Sequence, residues 1–325
     1  MINKHLIKSQ QFTLKQIDEL FALADTCKTY INVDFGHTNI LNQMRPCSGL
    51  VMATLFYEPS TRTRFSFEAA MLKLGGSVIS TENAENFSST AKGEKLEDSI
   101  RTVASYSDLI VLRHPEEGAA EWATGFTDVP IINAGDGAGQ HPTQALLDLY
   151  TIREECGGID GKSVALIGDL FHSRTVHSLA YLLSKYKISH LYLVSPNFVK
   201  IKEDLLLHLA EGNFSISVVD NLKEVAPKAD VFYQTRLQKE RFRSTDFELY
   251  MKYQEHQDDF QINVNILNMM KPDARILHPL PRIDEIAPEV DSDPRAAYFR
   301  QVENGLYVRM AILITMLRGK MSYEF

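Results

Sequence analysis

Apolar positions along the chain alternate between unbroken runs of strand length and recurrences at helical spacing, with glycine, proline or a polar cluster at each change of period. Phe12, Thr13, Gln16 and Ile17 make a hydrophobic staple and a capping box. They predict a helix from about residue 14 to about residue 30, with Leu14, Ile17, Phe21 and Ala24 on its core face. Leu50 to Tyr57 reads as a strand, and Phe65, Ala69 and Leu72 then recur at helical spacing until Gly75 and Gly76 stop the helix. Ser77 to Ser80 is a short second strand, Leu96 to Tyr106 a helix, and Asp108 to Leu112 and residues 129–133 are further strands. Pro142 opens a helix that runs through Arg153 to Gly157 and Gly158, the candidate connection between domains. Beyond it, Ser163 to Ile167, Leu191 to Val194, Asp230 to Gln234 and Ala274 to Leu277 read as strands. Val176, Leu179 and Leu183 mark an intervening helix, and Glu303 to Leu317 forms a closing apolar helix around Arg309.

Strands alternating with helices predict parallel sheets, whose ligands lie beyond the carboxyl ends of the strands. Those ends carry residues that a core does not need. Leu50 to Tyr57 hands over to Ser60, Thr61, Arg62, Thr63 and Arg64, and the strand at 108–112 delivers Arg113, His114 and Pro115. The strand at 129–133 leads through the glycine-rich Asn133 to Gly139 into His141, Pro142, Thr143 and Gln144. In the second half, Gly168 to Arg174, Thr235 to Arg241 and His278 to Arg282 each follow a strand. Two stretches break the alternation. Residues 81–95, which include Ser88 and Lys92, form a polar loop long enough to be functional or disordered, and the charged stretch Glu240 to Gln261 reads as a mobile surface segment.

Composition narrows the function classes. A chain of 325 residues suggests about two domains. Its formal charge of −8 argues against a nucleic-acid or membrane-surface partner, so any cationic cluster is local. Cys27, Cys47 and Cys156 are odd in number and widely spaced, which points to neither a disulfide framework nor a metal site. With no signal-peptide pattern and no run long enough to span a bilayer, the expected location is cytoplasmic.

The stretch Ser60 to Arg64 can be read in two ways. A helix start offers unpaired N–H groups and partial positive charge; three hydroxyls and two guanidiniums would complete an anion socket there. Equally, Ser60 or Thr61 could cap the helix while the arginines stay in water. Lys92 taken singly is an ordinary loop lysine, and His141 taken singly is a cap or surface residue. A dinucleotide site is disfavoured, because Gly168 to Arg174 lacks the G-x-G-x-x-G spacing and Leu191 to Val194 ends in Ser195-Pro196 instead of an acidic ribose partner.

Read together, Ser60 to Arg64, Arg113-His114-Pro115, His141 to Gln144, Arg174, Thr235 to Arg241 and His278 to Arg282 resemble in order and spacing the catalytic chains of the aspartate carbamoyltransferase family. The resemblance runs from the N-terminal helix to the C-terminal one. It implies an α/β fold of two domains, each a parallel β-sheet flanked by helices, joined by helices that cross between them. Residues 1–142 with 303–325 would bind carbamoyl phosphate, and residues 143–302 would bind L-aspartate. The implied reaction makes N-carbamoyl-L-aspartate and phosphate, an early step of de novo pyrimidine biosynthesis. Arg62, Arg113, His141 and Lys92 are the catalytic residues that it implies. Ser60, Thr61, Arg62 and Thr63 would hold phosphate, with Arg64 as a supporting ion-pair residue. Arg113, His141 and Gln144 would address the carbamoyl group as well as phosphate, and Arg174, Arg236 and Gln238 would hold the two aspartate carboxylates. Backbone carbonyls of Leu280 and Pro279, in a turn completed by Pro281, would orient the carbamoyl and amino groups. Ser88 and Lys92 would reach a neighbouring subunit's site, which implies a homotrimer with shared sites. Regulatory chains have no signature in the sequence.

Such chemistry calls for no cofactor, metal or protein nucleophile, because the attacked carbonyl already carries a good leaving group. No general base is evident, and the departing phosphate could take the amine proton. The nearest rival is an ornithine carbamoyltransferase. Arg174, Arg236 and Gln238 suit carboxylates rather than a cationic side chain, and His278-Pro279-Leu280-Pro281 lacks the cysteine that the ornithine branch places after the histidine. A non-catalytic assembly partner of the same fold would have lost some of the charged site residues, and none is missing.

Overall fold

The structure, a computed structural model, describes residues 4–32, 45–82, 93–237, 248, 251 and 257–318. It divides into two compact units, Met1–Leu147 with Glu303–Phe325, and Asp148–Val302. Both passages of the chain between them fall inside helices, Pro142–Cys156 and Tyr298–Leu317.

In the first unit, β1 (Val51–Phe56), β2 (Ser77–Glu82), β3 (Leu109–His114) and β4 (Ile131–Asp136) form a parallel sheet in the order β2-β1-β3-β4. Four helices complete the first part of the unit: α1 (Leu14–Asn32), α2 (Thr61–Lys73), α3 (Leu96–Ala104) and α4 (Ala119–Ala123). Ala53, Leu55, Ile110, Leu112 and Ile131 from the strands bury against Ile100 of α3 and Ala120 and Ala123 of α4. The central strands β1 and β3 read as unbroken apolar runs because both of their faces are covered.

The expected capping box is present: Thr13 N–H donates to Gln16 Oε1 at 2.8 Å and Gln16 N–H to Thr13 Oγ1 at 3.3 Å. Ile17, Phe21 and Ala24 are buried, but Leu14 is 42% exposed, because it lies at the margin of a stripe centred on Ile17, Leu20, Phe21, Ala24 and Cys27. The helix expected after β1 is present as α2, with its core on another stripe. Its core face is Thr63, Phe67, Ala70 and Met71, whereas Phe65 is 53% and Leu72 58% exposed. The periodicity that predicts this helix belongs to its outer side. The helix ends where expected: Gly75 turns left-handed (φ +84°), which lets Gly76 N–H return to Met71 O at 3.0 Å.

In the second unit, β5 (Ser163–Ile167), β6 (His190–Val194), β7 (Ser215–Val219), β8 (Val231–Gln234) and β9 (Arg275–Leu277) are all parallel in the order β7-β6-β5-β8-β9. The edge strand β7 is absent from the sequence reading; its Ser-Ile-Ser-Val-Val is short and leaves Val218 exposed. The helix Pro142–Cys156 is α5, followed by α6 (Arg174–Leu183), α7 (Glu203–Ala210), α8 (Leu222–Val225), α9 (Val264–Met269) and the closing α10 (Tyr298–Leu317). One face of the sheet buries Ala165, Ile167, Phe232 and Ile276 against Leu222, Val225, Ile266 and Tyr298. Most of the charged stretch 240–261 lies outside the described residues.

Each strand order fixes where a ligand can be held. The direction of strand addition reverses between β1 and β3 in one sheet and between β5 and β8 in the other. Helices leave such a pair of strands in opposite directions, so a crevice opens beyond their carboxyl ends. Residues after β1 and β3, and after β5 and β8, therefore occupy the two positions where parallel sheets bind ligands.

Candidate active site

The chain after β1 enters α2 through Glu58, Pro59 and Ser60. Ser60 takes the N-cap position, yet its side chain makes no capping hydrogen bond, so the reading of this stretch as an ordinary capped helix start does not hold for Ser60. Thr63 is buried in the first turn. Arg62 has no hydrogen bond or ion pair to a described residue, and burial alone lowers its pKa from the ordinary guanidinium value. A guanidinium stays protonated in proteins, so Arg62 remains a cation. Arg64, two residues on, differs: Nη2 is 2.8 Å from Glu82 Oε2, and Nη1 is 3.4 Å from Glu68 Oε1 and 3.1 Å from Ser80 Oγ. Glu68 is held in turn by Thr54 Oγ1 at 3.0 Å and Ser80 Oγ at 2.6 Å. The helix start thus presents one arginine whose charge is already neutralised and one whose charge is not.

Arg113 is the penultimate residue of β3, beside β1 in register Phe56↔Arg113, and its backbone carbonyl accepts from Tyr57 N–H at 2.9 Å. Its side chain is nearly buried, with Nη2 on Glu58 Oε1 at 2.9 Å and Nη1 on the Ala134 carbonyl at 3.3 Å. The loop after β4 is pinned by Asp136. Its Oδ1 accepts from Gln140 N–H and Asn133 Nδ2, each at 3.0 Å, and its Oδ2 from Gly118 N–H at 2.9 Å. This loop delivers His141 (3% exposed) and, one turn into α5, Gln144 (8% exposed). His141 Nδ1 lies 3.4 Å from Thr143 Oγ1. Within this unit, Ser60 to Arg64, Arg113, His141 and Gln144 all leave strand ends at one edge of the sheet.

In the second unit, Arg174 opens α6 after β5 and Arg236 lies two residues beyond β8; both are half-buried. Adjacent strands supply them, and their exits are stitched together. Thr235 N–H and Oγ1 each reach Ile167 O at 2.8 Å, and a Cβ at Gly168 (φ +110°) would stand 2.4 Å from Thr235 O. The turn before Arg174 is held by the fully buried Asp169, whose Oδ1 accepts from His172 N–H at 2.9 Å. Beyond β9, Leu280 adopts φ +54° and precedes a cis peptide bond to Pro281. Ser88, Lys92 and Gln238, candidates from the sequence, lie outside the described residues.

The sequence gives Glu58, Asp136, Asp169 and Thr235 no role of their own, although all but Glu58 lie inside stretches that it singles out. Glu58 and Thr235 gain meaning only from partners distant in sequence, Arg113 and Ile167, whereas Asp136 and Asp169 hold local turns, as an aspartate near a strand end commonly does. Among the described residues, no group of three or more His, Cys, Asp or Glu is arranged to hold a metal, and no helix is long and apolar enough to cross a membrane.

Comparison with known proteins adds an independent line. The family model for the carbamoyl-P binding domain of aspartate/ornithine carbamoyltransferase matches residues 4–154, and that for the Asp/Orn binding domain matches residues 160–316. Aspartate carbamoyltransferase 1, chloroplastic, of Pisum sativum is 52% identical over 314 residues, covering 97% of this chain and 78% of that protein. The aspartate carbamoyltransferase catalytic subunit of Thermoplasma acidophilum is 46% identical over 315 residues, 97% of this chain and 98% of its own. Among solved structures, aspartate transcarbamoylase from Trypanosoma cruzi in complex with carbamoyl phosphate and aspartate has a TM-score of 0.88 at 43% identity, covering 95% of each chain. The catalytic subunit of M. jannaschii aspartate transcarbamoylase has a TM-score of 0.85 at 43% identity, covering 98% of this chain and 99% of that one. With both halves matched in order and identity sustained over nearly its whole length, the chain belongs to the aspartate/ornithine carbamoyltransferase family.

Proposed function

We propose that this enzyme transfers the carbamoyl group of carbamoyl phosphate to the amino group of L-aspartate, giving N-carbamoyl-L-aspartate and phosphate, an early step of de novo pyrimidine biosynthesis. The observation that carries the reading is the contrast at the start of α2: Ser60 has a hydroxyl not spent on capping, and beside it Arg62 has no carboxylate partner among the described residues. A dianion placed there would meet helix N–H groups, hydroxyls and an uncompensated guanidinium. The curated relatives named above are aspartate carbamoyltransferases, and the Trypanosoma cruzi enzyme was solved with carbamoyl phosphate and aspartate.

In this mechanism Ser60, Thr61, Arg62 and Thr63 hold the phosphate of the donor, while Arg113, His141 and Gln144 address its carbamoyl group. The amine lone pair of aspartate attacks the carbonyl carbon, and the oxyanion that develops is met by Arg113 and His141. The C–O bond to phosphate then breaks, the electron pair leaves with phosphate, and phosphate accepts the amine proton. Arg174, Arg236 and Gln238 hold the aspartate carboxylates, and the Leu280 and Pro279 carbonyls orient the carbamoyl and amino groups. The work is largely positioning and charge stabilisation, which a concentrated cation set can perform without a protein nucleophile.

We assign Ser88 and Lys92 to a neighbouring subunit's site within a homotrimer. The exposed stripe of Phe65 and Leu72 on α2 supports assembly, since apolar side chains of that size beside a site favour a partner surface. The three free cysteines support a reducing compartment, with burial pushing the Cys27 and Cys47 thiols up to about 12, and we place the protein in the cytoplasm. The test is ureido-product formation by the purified protein from carbamoyl phosphate with aspartate and, separately, with ornithine. Product with aspartate alone is expected; its absence sinks the assignment, and product with ornithine moves the chain to the other branch.

A further inference from the structure

Leu280 is the only non-glycine residue with positive φ among the described residues, at +54°. A branched side chain there is disfavoured by its own Cβ, by about 1–3 kcal/mol, and persists only where its surroundings hold it. The hold is visible. Leu280 N–H donates to His278 Nδ1 at 2.7 Å. A backbone N–H can only donate, so Nδ1 must be an unprotonated acceptor and the ring proton sits on Nε2. Nε2 lies 2.7 Å from Glu285 Oε1, and both side chains are buried. The other carboxylate oxygen of Glu285 accepts from Ile283 N–H and Asp284 N–H, each at 3.1 Å. His278 N–H is itself fixed on Gln301 Oε1 at 2.8 Å, and Gln301 Nε2 donates to the fully buried Asp148 at 2.6 Å. A buried carboxylate therefore stands at each end of a hydrogen-bonded chain whose middle member grips the backbone of Leu280.

We propose that His278, held in its Nε2–H tautomer by Glu285, is a positioning residue that aims the Leu280 carbonyl at the reacting groups without touching substrate itself. The inference rests on the carbamoyl-transfer reading, in which that carbonyl binds the carbamoyl or amino group. Two substitutions separate the ring nitrogens. In His278→Asn the amide oxygen can stand near the position of Nδ1 and still accept from Leu280 N–H. In His278→Gln the longer side chain reaches towards Glu285 and leaves Nδ1 without a substitute.

The experiment compares kcat, both KM values and the affinity for inorganic phosphate in the wild-type protein and the two variants. A carbonyl displaced by about 1 Å should cost about 10- to 100-fold in kcat for His278→Gln. His278→Asn should lose clearly less, and phosphate affinity should be unchanged in both. Equal losses in the two variants, no loss in either, or a fall in phosphate affinity parallel to kcat would overturn the proposal. Nitrogen-15 NMR of histidine-labelled wild-type protein provides a measurement that no folding defect can obscure: Nδ1 of His278 should be unprotonated, and a proton there overturns the tautomer argument. If the wild-type protein forms no carbamoyl aspartate, the reading of its function fails instead; an active wild-type protein with indifferent variants fails this inference alone.

Discussion

Arg62→Ala and Arg64→Ala, two residues apart in one helical turn, should have opposite consequences. Arg64 binds Glu82 at 2.8 Å and Glu68 at 3.4 Å, with side-chain exposures of 16%, 34% and 18% respectively, and it also reaches Ser80 Oγ. Pairs this sheltered retain part of their Coulomb energy, and truncation leaves two carboxylates facing each other, so Arg64→Ala should cost about 1–3 kcal/mol of stability. Arg62 has no such partner among the described residues, and removing it should change stability by no more than about 0.5 kcal/mol. Its loss should fall on the chemistry instead. One preorganised cation aimed at developing charge is worth about 10²–10³ in rate, or about 2.7–4 kcal/mol. The assays are the rate of ureido-product formation at saturating substrates and the urea midpoint, measured at one protein concentration because the midpoint of an oligomer depends on it. If Arg62→Ala kept kcat within about tenfold of wild type, or unfolded as early as Arg64→Ala, the idea that counter-charge sorts these arginines would be refuted.

Three further perturbations probe other links of the argument. Gly168→Ala puts a Cβ against the Thr235 carbonyl, a backbone atom that cannot swing aside, so it should raise the KM for aspartate while phosphate binding is retained; an unchanged KM would show that the seam between β5 and β8 does not set the positions of Arg174 and Arg236. Burial pushes the Glu285 carboxyl up, but its interactions with His278 and with backbone N–H groups, the His278 hydrogen bond foremost, together outweigh this and hold it below 4.5. The stability it contributes is therefore present above pH 4.5 and lost as pH falls through the lower folded value, so acid unfolding curves of wild type and Glu285→Gln should converge below that window, and a constant offset would contradict the linkage. Mixing separately inactive Lys92→Ala and Arg62→Ala chains should restore activity if the site is shared between subunits, and hybrids without activity would count against a donated lysine.

The sequence discloses the strands and the residues at their ends more readily than it discloses faces. A parallel strand covered on both sides is an unbroken apolar run, so β1, β3 and β5 are plain in the sequence. A helix with apolar residues on two sides is not. Phe65 and Leu72 gave α2 its visible period while Thr63, Phe67, Ala70 and Met71 formed its core face, and no local rule says which stripe a sheet will cover. The same limit applies to the site. Arg62, Arg113, His141 and Arg174 announce themselves by position at strand ends, but Glu58 and Thr235 act through partners, Arg113 and Ile167, that only the folded chain brings within 3 Å or so. Strand β7 escaped for a third reason: on an edge it needs neither a long apolar run nor a buried outer face.

The first unit gives arginines of one chemistry different counter-charges, in line with the different tasks proposed for them. Arg64, set between Glu68 and Glu82, has its charge spent and serves as a strut between α2 and β2. Arg62 has no carboxylate partner among the described residues, so none of these offsets its attraction for an anion. Arg113 lies between these cases, with Nη2 on Glu58 and Nη1 on a backbone carbonyl. A guanidinium held in this way is aimed but partly neutralised, so it suits an oxygen that is uncharged in the substrate and gains charge only in the transition state. It would bind the ground state less strongly than Arg62 binds phosphate, and its contribution would grow as the oxyanion forms, which is the condition for lowering a barrier instead of only tightening binding. The positions of Glu58, Glu68 and Glu82 thus support the proposed division of labour, with phosphate at Arg62 and the carbamoyl oxygen at Arg113.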